Sequence, residues 1–148
     1  MNRFKQIWHN EIQFILINYI IGNIPLWSLR KLFYKLFGMK IGKGTRIAMK
    51  CIILGPRNIV IGNNNVINEF VLLDGRSELY IGNNNSISMY SKFYSGTHNP
   101  YSNEFEYIGK KCKVENNTWI GTNTIVMPGS VVSDFSVIGD NSLYKGTS

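Results

Sequence analysis

The sequence is poor in the residues that disulfide frameworks and metal centres need. Its 148 residues include two cysteines and two histidines. Two cysteines are too few for a disulfide framework in a chain that can build its own core, so we expect reduced thiols. The two histidines, His9 and His98, exclude a three-histidine zinc site within one subunit.

Long apolar runs are also missing. The longest, from Phe14 to Ile21, is interrupted by Asn18 and falls short of the roughly 20 residues that span a bilayer. Glu11 breaks the N-terminal apolar region, and no small-residue cleavage site follows it. We therefore expect a cytoplasmic protein. A length of 148 residues predicts one domain, with room for at most an appendage.

Acidic residues are almost absent from the first third of the chain. Residues 1–50 carry nine basic side chains and one acidic side chain, whereas residues 51–148 carry seven basic and eight acidic ones. The net charge of +7 therefore belongs to the front of the chain. That region has no recognisable nucleic-acid-reading motif, so we expect no nucleic-acid partner.

An internal repeat is the strongest pattern that is present. From residue 41 onward an aliphatic residue recurs at steps of six, six and eight. Thirteen of the fifteen anchors are Ile, Leu or Val, a class that supplies only 38 of the 148 residues. The anchors are Ile41, Ile47, Ile53, Ile61, Ile67, Leu73, Ile81, Ile87, Phe93, Val114, Ile120, Val126, Val132, Ile138 and Tyr144.

The spacing of the anchors predicts an all-β solenoid. A six-residue unit is a short strand and a turn, and three units close one triangular coil. Five coils stacked about 4.8 Å apart would bury the anchors, which no single coil can bury. Asparagine runs such as 63–65 suit the corners because Asn tolerates left-handed backbone. Glycines directly after anchors, such as Gly42 and Gly62, are expected to supply the tight turns.

Extra residues always follow the third anchor of a coil. Two fall at 56–58, two at 76–78, and a long excursion follows His98. One corner of the solenoid is therefore elaborated, and the elaboration is largest at the one histidine of the repeat region. We predict the functional site at this corner.

The repeat over residues 41–146 resembles that of the hexapeptide-repeat acyltransferases. The resemblance implies a left-handed parallel β-helix of about five coils, acetyl-CoA as co-substrate, no metal, and a homotrimer with sites between subunits. Residues 1–40 then form an N-terminal helical arm or cap. Residues 41–148 form the β-helix acetyltransferase domain, with a loop at 99–113.

Within that family, LLDGRSELYIGNNNSISMYSKFYSGTHNPYSNEFEYIG is similar to the sugar and polysaccharide O-acetyltransferases. The resemblance makes His98 the general base that takes a sugar hydroxyl proton during direct transfer, a role that imidazole suits near neutral pH. Asp74 would bind acceptor hydroxyls or orient the imidazole, or it would simply cap a turn. Asn68 would bind the acceptor.

The segment Asn117 to Thr122 matches the family's Trp-Ile-Gly signature at the acetyl-CoA groove. Trp119 would pack against the pantetheine arm or a neighbouring subunit, or serve only in packing. Thr122 would hydrogen bond to the amides of the cofactor, and Lys145 would contact a CoA phosphate. Cys112, between two lysines, is an alternative acyl-carrying nucleophile, but the family transfers the acetyl group directly.

The sequence departs from the family near its C-terminus. Asp140 and Asn141 stand where relatives have small residues, and a carboxylate beside a polyanionic cofactor is unfavourable. Relatives continue into a further coil and a cap, whereas this sequence stops at Ser148 and would leave strand edges open. These departures predict a truncated or divergent member with weakened CoA binding.

Residues 1–40 lie outside the repeat. Apolar residues at helical spacing run from Pro25 to Gly38, with Arg30, Lys31 and Lys35 off the apolar stripe, and residues 4–21 predict a preceding helix. These helices either cap the first coil or rest on the anionic inner face of a membrane. His9 is expected to be structural or exposed.

The function that these patterns favour is acetyl-CoA-dependent O-acetylation of a sugar hydroxyl on a cell-surface polysaccharide or its precursor. Acetylation of an amino-sugar nitrogen or of serine stays open, because one histidine serves each reaction. A catalytically inactive structural solenoid stays open because of the short C-terminus and Asp140. A γ-type carbonic anhydrase of the same fold is excluded by the shortage of histidines.

Overall fold

A helical segment precedes the solenoid in the computed structural model, which describes Lys5 and residues 11–146. His9 and the start of the predicted first helix lie outside the described residues. Helix α1 (Gln13–Ile15) continues as a π-helical turn (Leu16–Ile20) and a 3-10 turn (Ile21–Asn23). Helix α2 (Trp27–Leu36) follows. None of the helices in the described residues is long and apolar enough to span a membrane.

Seventeen short strands follow among the described residues. Those of the first three coils and the excursion are β1 (Lys40–Ile41), β2 (Arg46–Ile47), β3 (Ile52–Leu54), β4 (Ile59–Ile61), β5 (Val66–Ile67), β6 (Leu72–Asp74), β7 (Leu79–Ile81), β8 (Ser86–Ile87), β9 (Lys92–Phe93), β10 (Gly96–His98) and β11 (Tyr107–Gly109). The last two coils contain β12 (Cys112–Val114), β13 (Trp119–Ile120), β14 (Ile125–Val126), β15 (Val131–Val132), β16 (Val137–Ile138) and β17 (Leu143–Tyr144).

Fifteen of these strands form three parallel sheets, each with one strand from every coil. The first sheet has the order β1-β4-β7-β12-β15, the second β2-β5-β8-β13-β16 and the third β3-β6-β9-β14-β17. Strands β10 and β11 pair antiparallel and leave the solenoid between the third and fourth coils. The predicted all-β solenoid of about five coils with an N-terminal helical segment is confirmed.

In the structure, equivalent anchors of successive coils lie above one another and form columns. Each of the fifteen anchors lies in a different solenoid strand, and those of the first sheet pair in register from Ile41 through Ile61 and Ile81 to Val114 and Val132. Fourteen anchors are no more than 7% exposed, and Tyr144 is half-buried. The anchors therefore form the core, as the spacing predicted.

Two of the three corners are built alike in every coil. The first corner joins the first and second sheets, and the second corner joins the second and third. The third residue after the anchor has left-handed backbone at both corners, which confirms the expectation for the asparagine runs. The left-handed residues are Gly44, Asn64, Asn84, Asn117 and Phe135 at the first corner and Lys50, Phe70, Tyr90, Asn123 and Asn141 at the second.

The glycines directly after the anchors serve a different purpose from the one expected. Gly42 and Gly62 do not have positive φ, so the expectation that they supply the turn is wrong. A Cβ atom on Gly62 would lie 2.5 Å from the carbonyl oxygen of Gly82 in the next coil. The glycine is needed because the backbones of stacked coils approach too closely at this point for a side chain.

Side-chain oxygens at the first corner bond to the coil before them. Oδ1 of Asn63 accepts the N–H of Lys43 at 2.8 Å, and Asn83 accepts the N–H of Asn63 at 2.7 Å. The ladder continues through Asn116 to Asp134. It satisfies corner N–H groups that the short strands leave without a partner.

The helical segment covers the first coil. Ile17, Ile21 and Tyr34 join the hydrophobic core. Asn18 exchanges two hydrogen bonds with the backbone of Ile53, at 2.7 and 3.0 Å. The first coil has no coil before it, so its strand edges must find other partners.

Helix α2 buries Arg30 and Tyr34 and packs Phe33 against the core, while the leucines of its apolar stripe lie exposed. Arg30, which lies off the stripe, is 1% exposed and donates to the carbonyl oxygen of Ile47 at 2.9 Å. Leu26, Leu32 and Leu36 are 66%, 52% and 71% exposed. The open edge of the first coil presents carbonyl oxygens, and a guanidinium satisfies them where a leucine cannot.

Candidate active site

His98 lies on a hairpin at the third corner, where the third sheet connects to the first sheet of the next coil. Strands β10 and β11 pair Gly96 with Gly109 and His98 with Tyr107. The two shorter insertions, at 56–58 and 76–78, follow β3 and β6 and therefore lie at the same corner. All three insertions meet at one corner, as the spacing predicted.

The two ring nitrogens of His98 have different hydrogen-bonding roles. Its Nδ1 lies 2.6 Å from the carbonyl oxygen of Phe105. A carbonyl oxygen only accepts, so Nδ1 carries the proton and the lone pair of the neutral ring is on Nε2. The side chain is exposed. The hairpin tip is held by Asn99, which donates to Oε1 of Glu106 at 2.9 Å.

Asp74 ends β6 at the same corner and is fully buried. Its carboxylate accepts hydrogen bonds from Nε and Nη2 of the Arg76 side chain at 2.9 and 3.0 Å. It also accepts hydrogen bonds from the backbone N–H groups of Arg76 and Ser95 at 3.0 and 3.1 Å. Burial by itself would raise the pKa of Asp74, but these hydrogen bonds and the Arg76 charge hold it below its usual value. The described hydrogen bonds of Asp74 therefore cap a turn and hold Arg76, and none goes to His98.

Two residues connect Asp74 to His98. The guanidinium carbon of Arg76 lies 6.0 Å from the centroid of the Tyr107 ring. The rings of Tyr107 and His98 meet edge to face, with centroids 6.1 Å apart. Sequence reasoning missed Arg76 and Tyr107; the available signal was the pair of glycines, Gly96 and Gly109, that flank the excursion.

Asn68 lies at another corner of the subunit. It follows β5 at the second corner and donates from Nδ2 to the carbonyl oxygen of Ile87 at 2.9 Å. The backbone carbonyl oxygen of Asn68 accepts a hydrogen bond from the Cys51 thiol at 3.1 Å. One subunit therefore does not bring Asn68 together with His98.

The three predicted cofactor-binding residues are all exposed to some extent. Trp119 in β13 is 51% exposed and donates from Nε1 to Oγ of Ser88 at 3.1 Å. Thr122 lies exposed at the second corner of the same coil, and Lys145 lies exposed after β17 at the third corner. Trp119 and Thr122 are thus neighbours on the fourth coil, while Lys145 is on the fifth.

Asp140 has a structural role that the sequence did not reveal. Its Oδ1 accepts the backbone N–H of Thr122 at 2.7 Å. This is the same bond between coils that the asparagines make at the first corner. A ligand at this corner must therefore use the hydroxyl of Thr122 rather than its amide.

Cys112 is unsuited to carry an acyl group. The residue lies in β12 and is fully buried. Burial raises the pKa of its thiol to about 12, so the reactive thiolate is scarce near neutral pH. The described residues also contain no group of three His, Cys, Asp or Glu side chains that could hold a metal ion.

No family model matches this sequence. The putative colanic acid biosynthesis acetyltransferase WcaF of Escherichia coli (strain K12) is 31% identical, over 79% of this chain and 64% of its own length. The protein of that name from Shigella flexneri has the same identity and coverage. The chain thus spans 64% of the length of these relatives.

Solved structures share the fold along nearly the whole chain. A hexapeptide-repeat acetyltransferase of Vibrio cholerae O1 biovar eltor, complexed with acetyl-CoA, has a TM-score of 0.85 at 20% identity, over 99% of this chain and 81% of its own. A maltose O-acetyltransferase from Clostridium difficile 630 has a TM-score of 0.80 at 19% identity, over 97% and 80%. A galactoside acetyltransferase in complex with CoA has a TM-score of 0.77 at 18% identity, over 99% and 76%. The chain therefore has the fold of these solved acetyltransferases and is similar in sequence to the WcaF relatives.

Proposed function

We propose that the protein is an acetyl-CoA-dependent O-acetyltransferase that modifies a sugar hydroxyl of a cell-surface polysaccharide or its precursor. The observation that carries this proposal is the exposed His98, whose Nδ1 donates to Phe105 and leaves Nε2 as a base. The WcaF relatives bear the name of a polysaccharide biosynthesis acetyltransferase, and similar folds hold acetyl-CoA or CoA.

The reaction needs one base and no covalent enzyme intermediate. Nε2 of His98 takes the hydroxyl proton while the sugar oxygen attacks the thioester carbonyl carbon. A C–O bond forms, the C–S bond breaks, and the CoA sulfur leaves with the proton that the imidazolium returns. The Nδ1–H bond to Phe105 stabilises the imidazolium in between because the carbonyl dipole faces it.

Acceptor binding is assigned to Asp74 and Asn68 by resemblance. Because the carboxylate of Asp74 already bonds to Arg76 and Ser95, the geometry favours its orienting role over direct contact with a hydroxyl. Asn68 and His98 lie at different corners, so an acceptor could meet both only if a second subunit brought its own Asn68 beside His98.

A homotrimer with sites between subunits would satisfy that requirement. Outward-facing residues of the second sheet favour it, since Val66, Trp119 and Val137 are 48%, 51% and 67% exposed in one subunit. The other two outward-facing residues of this sheet, Arg46 and Ser86, are polar, and exposed apolar side chains on one face are typical of a surface that is covered in an assembly. In this arrangement Trp119 packs on the pantetheine arm, Thr122 bonds to its amides and Lys145 contacts a phosphate.

Peripheral contact of residues 1–40 with an anionic membrane stays a prediction. The exposed leucines of α2 and the nine basic residues in the first fifty favour it. Flotation with vesicles of acidic lipid tests it, comparing the full chain with a Leu32→Ser/Leu36→Ser variant. Equal flotation of both proteins would count against the contact.

The experiment for the catalytic proposal measures CoA release from acetyl-CoA with a panel of sugars, amino sugars and serine. We expect release that depends on a sugar, at a rate that falls at least about 100-fold in His98→Ala. Glu104→Gln is the control, because Glu104 is an exposed residue of the same hairpin tip. Turnover that survives His98→Ala contradicts the mechanism, and no release with any acceptor supports the inactive solenoid.

A further inference from the structure

We propose that Tyr107 is the positioning residue for His98 and that the second coil, through Arg76 and Ser77, holds Tyr107 in place. This inference rests on the proposed function, in which Nε2 of His98 is the base. It adds a residue to the site that neither the repeat nor the resemblance indicated.

The first observation is the pairing of the two rings across the hairpin. His98 and Tyr107 are directly opposite in the antiparallel ladder, so their side chains lie on one face. Their rings meet edge to face at an interplanar angle of 78°, with centroids 6.1 Å apart. The contact limits rotation of the imidazole about its bond to Cβ.

The second observation is that Tyr107 is itself fixed to the solenoid. Its hydroxyl lies 2.7 Å from Oγ of Ser77, and the Arg76 guanidinium carbon is 6.0 Å from its ring centroid. Asp74 holds that guanidinium through two hydrogen bonds, and Ser77 is held by its N–H bond to Oγ of Ser95 at 3.0 Å. The exposed hairpin is therefore anchored to the buried third corner through Tyr107.

The third observation is independent of these bonds and concerns two glycines. A Cβ atom on Gly96 would lie 2.3 Å from Cε2 of Tyr107, and one on Gly109 would lie 2.2 Å from Oγ of Ser77. Gly96 and Gly109 face each other in the hairpin. The backbone thus leaves space at the two positions where Tyr107 and Ser77 lie against it.

Together the contacts control two properties of the imidazole. The Phe105 carbonyl fixes which nitrogen carries the proton, and Tyr107 holds the ring in the plane in which Nδ1 reaches that carbonyl. Both are needed if Nε2 is to point at one place, because base catalysis requires the lone pair to be aligned with the proton it removes. Asp74 then orients the imidazole indirectly, through Arg76 and Tyr107.

The test uses the full chain with Tyr107→Leu, Tyr107→Phe and Ser77→Ala. Tyr101→Leu is the matched control, because Tyr101 lies in the same hairpin and is 95% exposed. Nitrogen-15 NMR of the imidazoles reports their tautomers, and His9→Gln assigns the spectrum since the chain has only two histidines. We expect one tautomer in the parent protein, a mixture in Tyr107→Leu, a smaller change in Tyr107→Phe and Ser77→Ala, and none in Tyr101→Leu.

The kinetic readout separates positioning from binding. We expect kcat of Tyr107→Leu to fall between about 10-fold and 100-fold while KM for acetyl-CoA stays within about twofold. A parent-like imidazole spectrum and kcat in Tyr107→Leu would overturn the inference. If the hairpin of that variant unfolds, a parent-like spectrum and kcat in both Tyr107→Phe and Ser77→Ala overturn it instead. Because the spectrum needs no turnover, tautomer changes without any acetyl transfer would refute the proposed function alone.

Discussion

The first and second corners of the solenoid differ from the third corner in how regularly their residues repeat from coil to coil. At the first and second corners every coil has the same left-handed position, and at the first corner side-chain oxygens bond each coil to the one before it. At the third corner the connections differ from coil to coil and include a 3-10 turn, a salt bridge and a hairpin. Repetition therefore marks the residues that stack the coils, and departure from repetition marks the candidate site.

The largest expected effect comes from the close approach of coils at the first corner. Gly62→Ala places Cβ 2.4 Å from Oδ1 of Asn83 and 2.5 Å from the backbone of Gly82. We expect it to lower the free energy of unfolding by about 3 kcal/mol in urea titrations. Gly139→Ala is the matched control, because the nearest atom to its Cβ is 3.8 Å away. Equal stability of the two variants would contradict the close-approach explanation.

The next effect tests the side-chain bonds between coils. Oδ1 of Asn85 accepts the N–H of Thr118 at 2.8 Å, and its Nδ2 donates to the carbonyl oxygen of Glu115 at 2.8 Å. Asn85→Ala leaves both buried groups without that partner, so the free energy of unfolding should fall by about 2 kcal/mol. Asn64→Gly should change it by less than about 0.5 kcal/mol, because glycine adopts the left-handed backbone freely. A loss in Asn64→Gly as large as that in Asn85→Ala would show that the turn itself is the weak point.

A smaller, pH-dependent effect is expected at the third corner. The hydrogen bonds from Arg76 and Ser95 hold the pKa of Asp74 below its ordinary value of 3.8 in the folded protein. The carboxylate therefore stabilises the fold above pH 3.8, and this contribution is lost as the pH falls through its folded pKa. Asp74→Asn should lower the free energy of unfolding by about 1 kcal/mol at pH 7. The difference in this free energy between the variant and the parent protein should shrink below pH 3.8. A difference that stays constant from pH 7 to pH 3 would contradict the ion-pair explanation.

The smallest effect concerns the second corner and the cofactor. Asp140→Asn keeps the oxygen that accepts the Thr122 N–H and removes a negative charge from the proposed CoA groove. We expect CoA to bind about threefold more tightly, since screened charges near a surface interact weakly. Calorimetric titration measures the change, and Asp134→Asn, the equivalent replacement at the first corner, should leave CoA affinity unaltered.

The core and the corner at which the insertions meet were predictable, because both follow from the spacing of the repeat. An anchor such as Ile81 pairs in register with the equivalent anchors of the adjacent coils, Ile61 and Val114. Its position therefore follows from the spacing alone. The burial of Arg30 in α2 was not predictable, because it depends on the carbonyl oxygens that the first coil leaves for its guanidinium. The role of Tyr107 was also hidden, since the excursion occurs once and gives no repeat from which to read its pairing.

The most direct test of this separation between residues that stack the coils and residues of the candidate site is to measure the activity and the stability of His98→Ala in the same preparation. His98 is exposed and lies outside the core, so we expect the free energy of unfolding to change by less than about 0.5 kcal/mol. Sugar-dependent CoA release should fall at least about 100-fold. Retained CoA release in a stable His98→Ala protein would contradict the central claim that the third corner carries the chemistry.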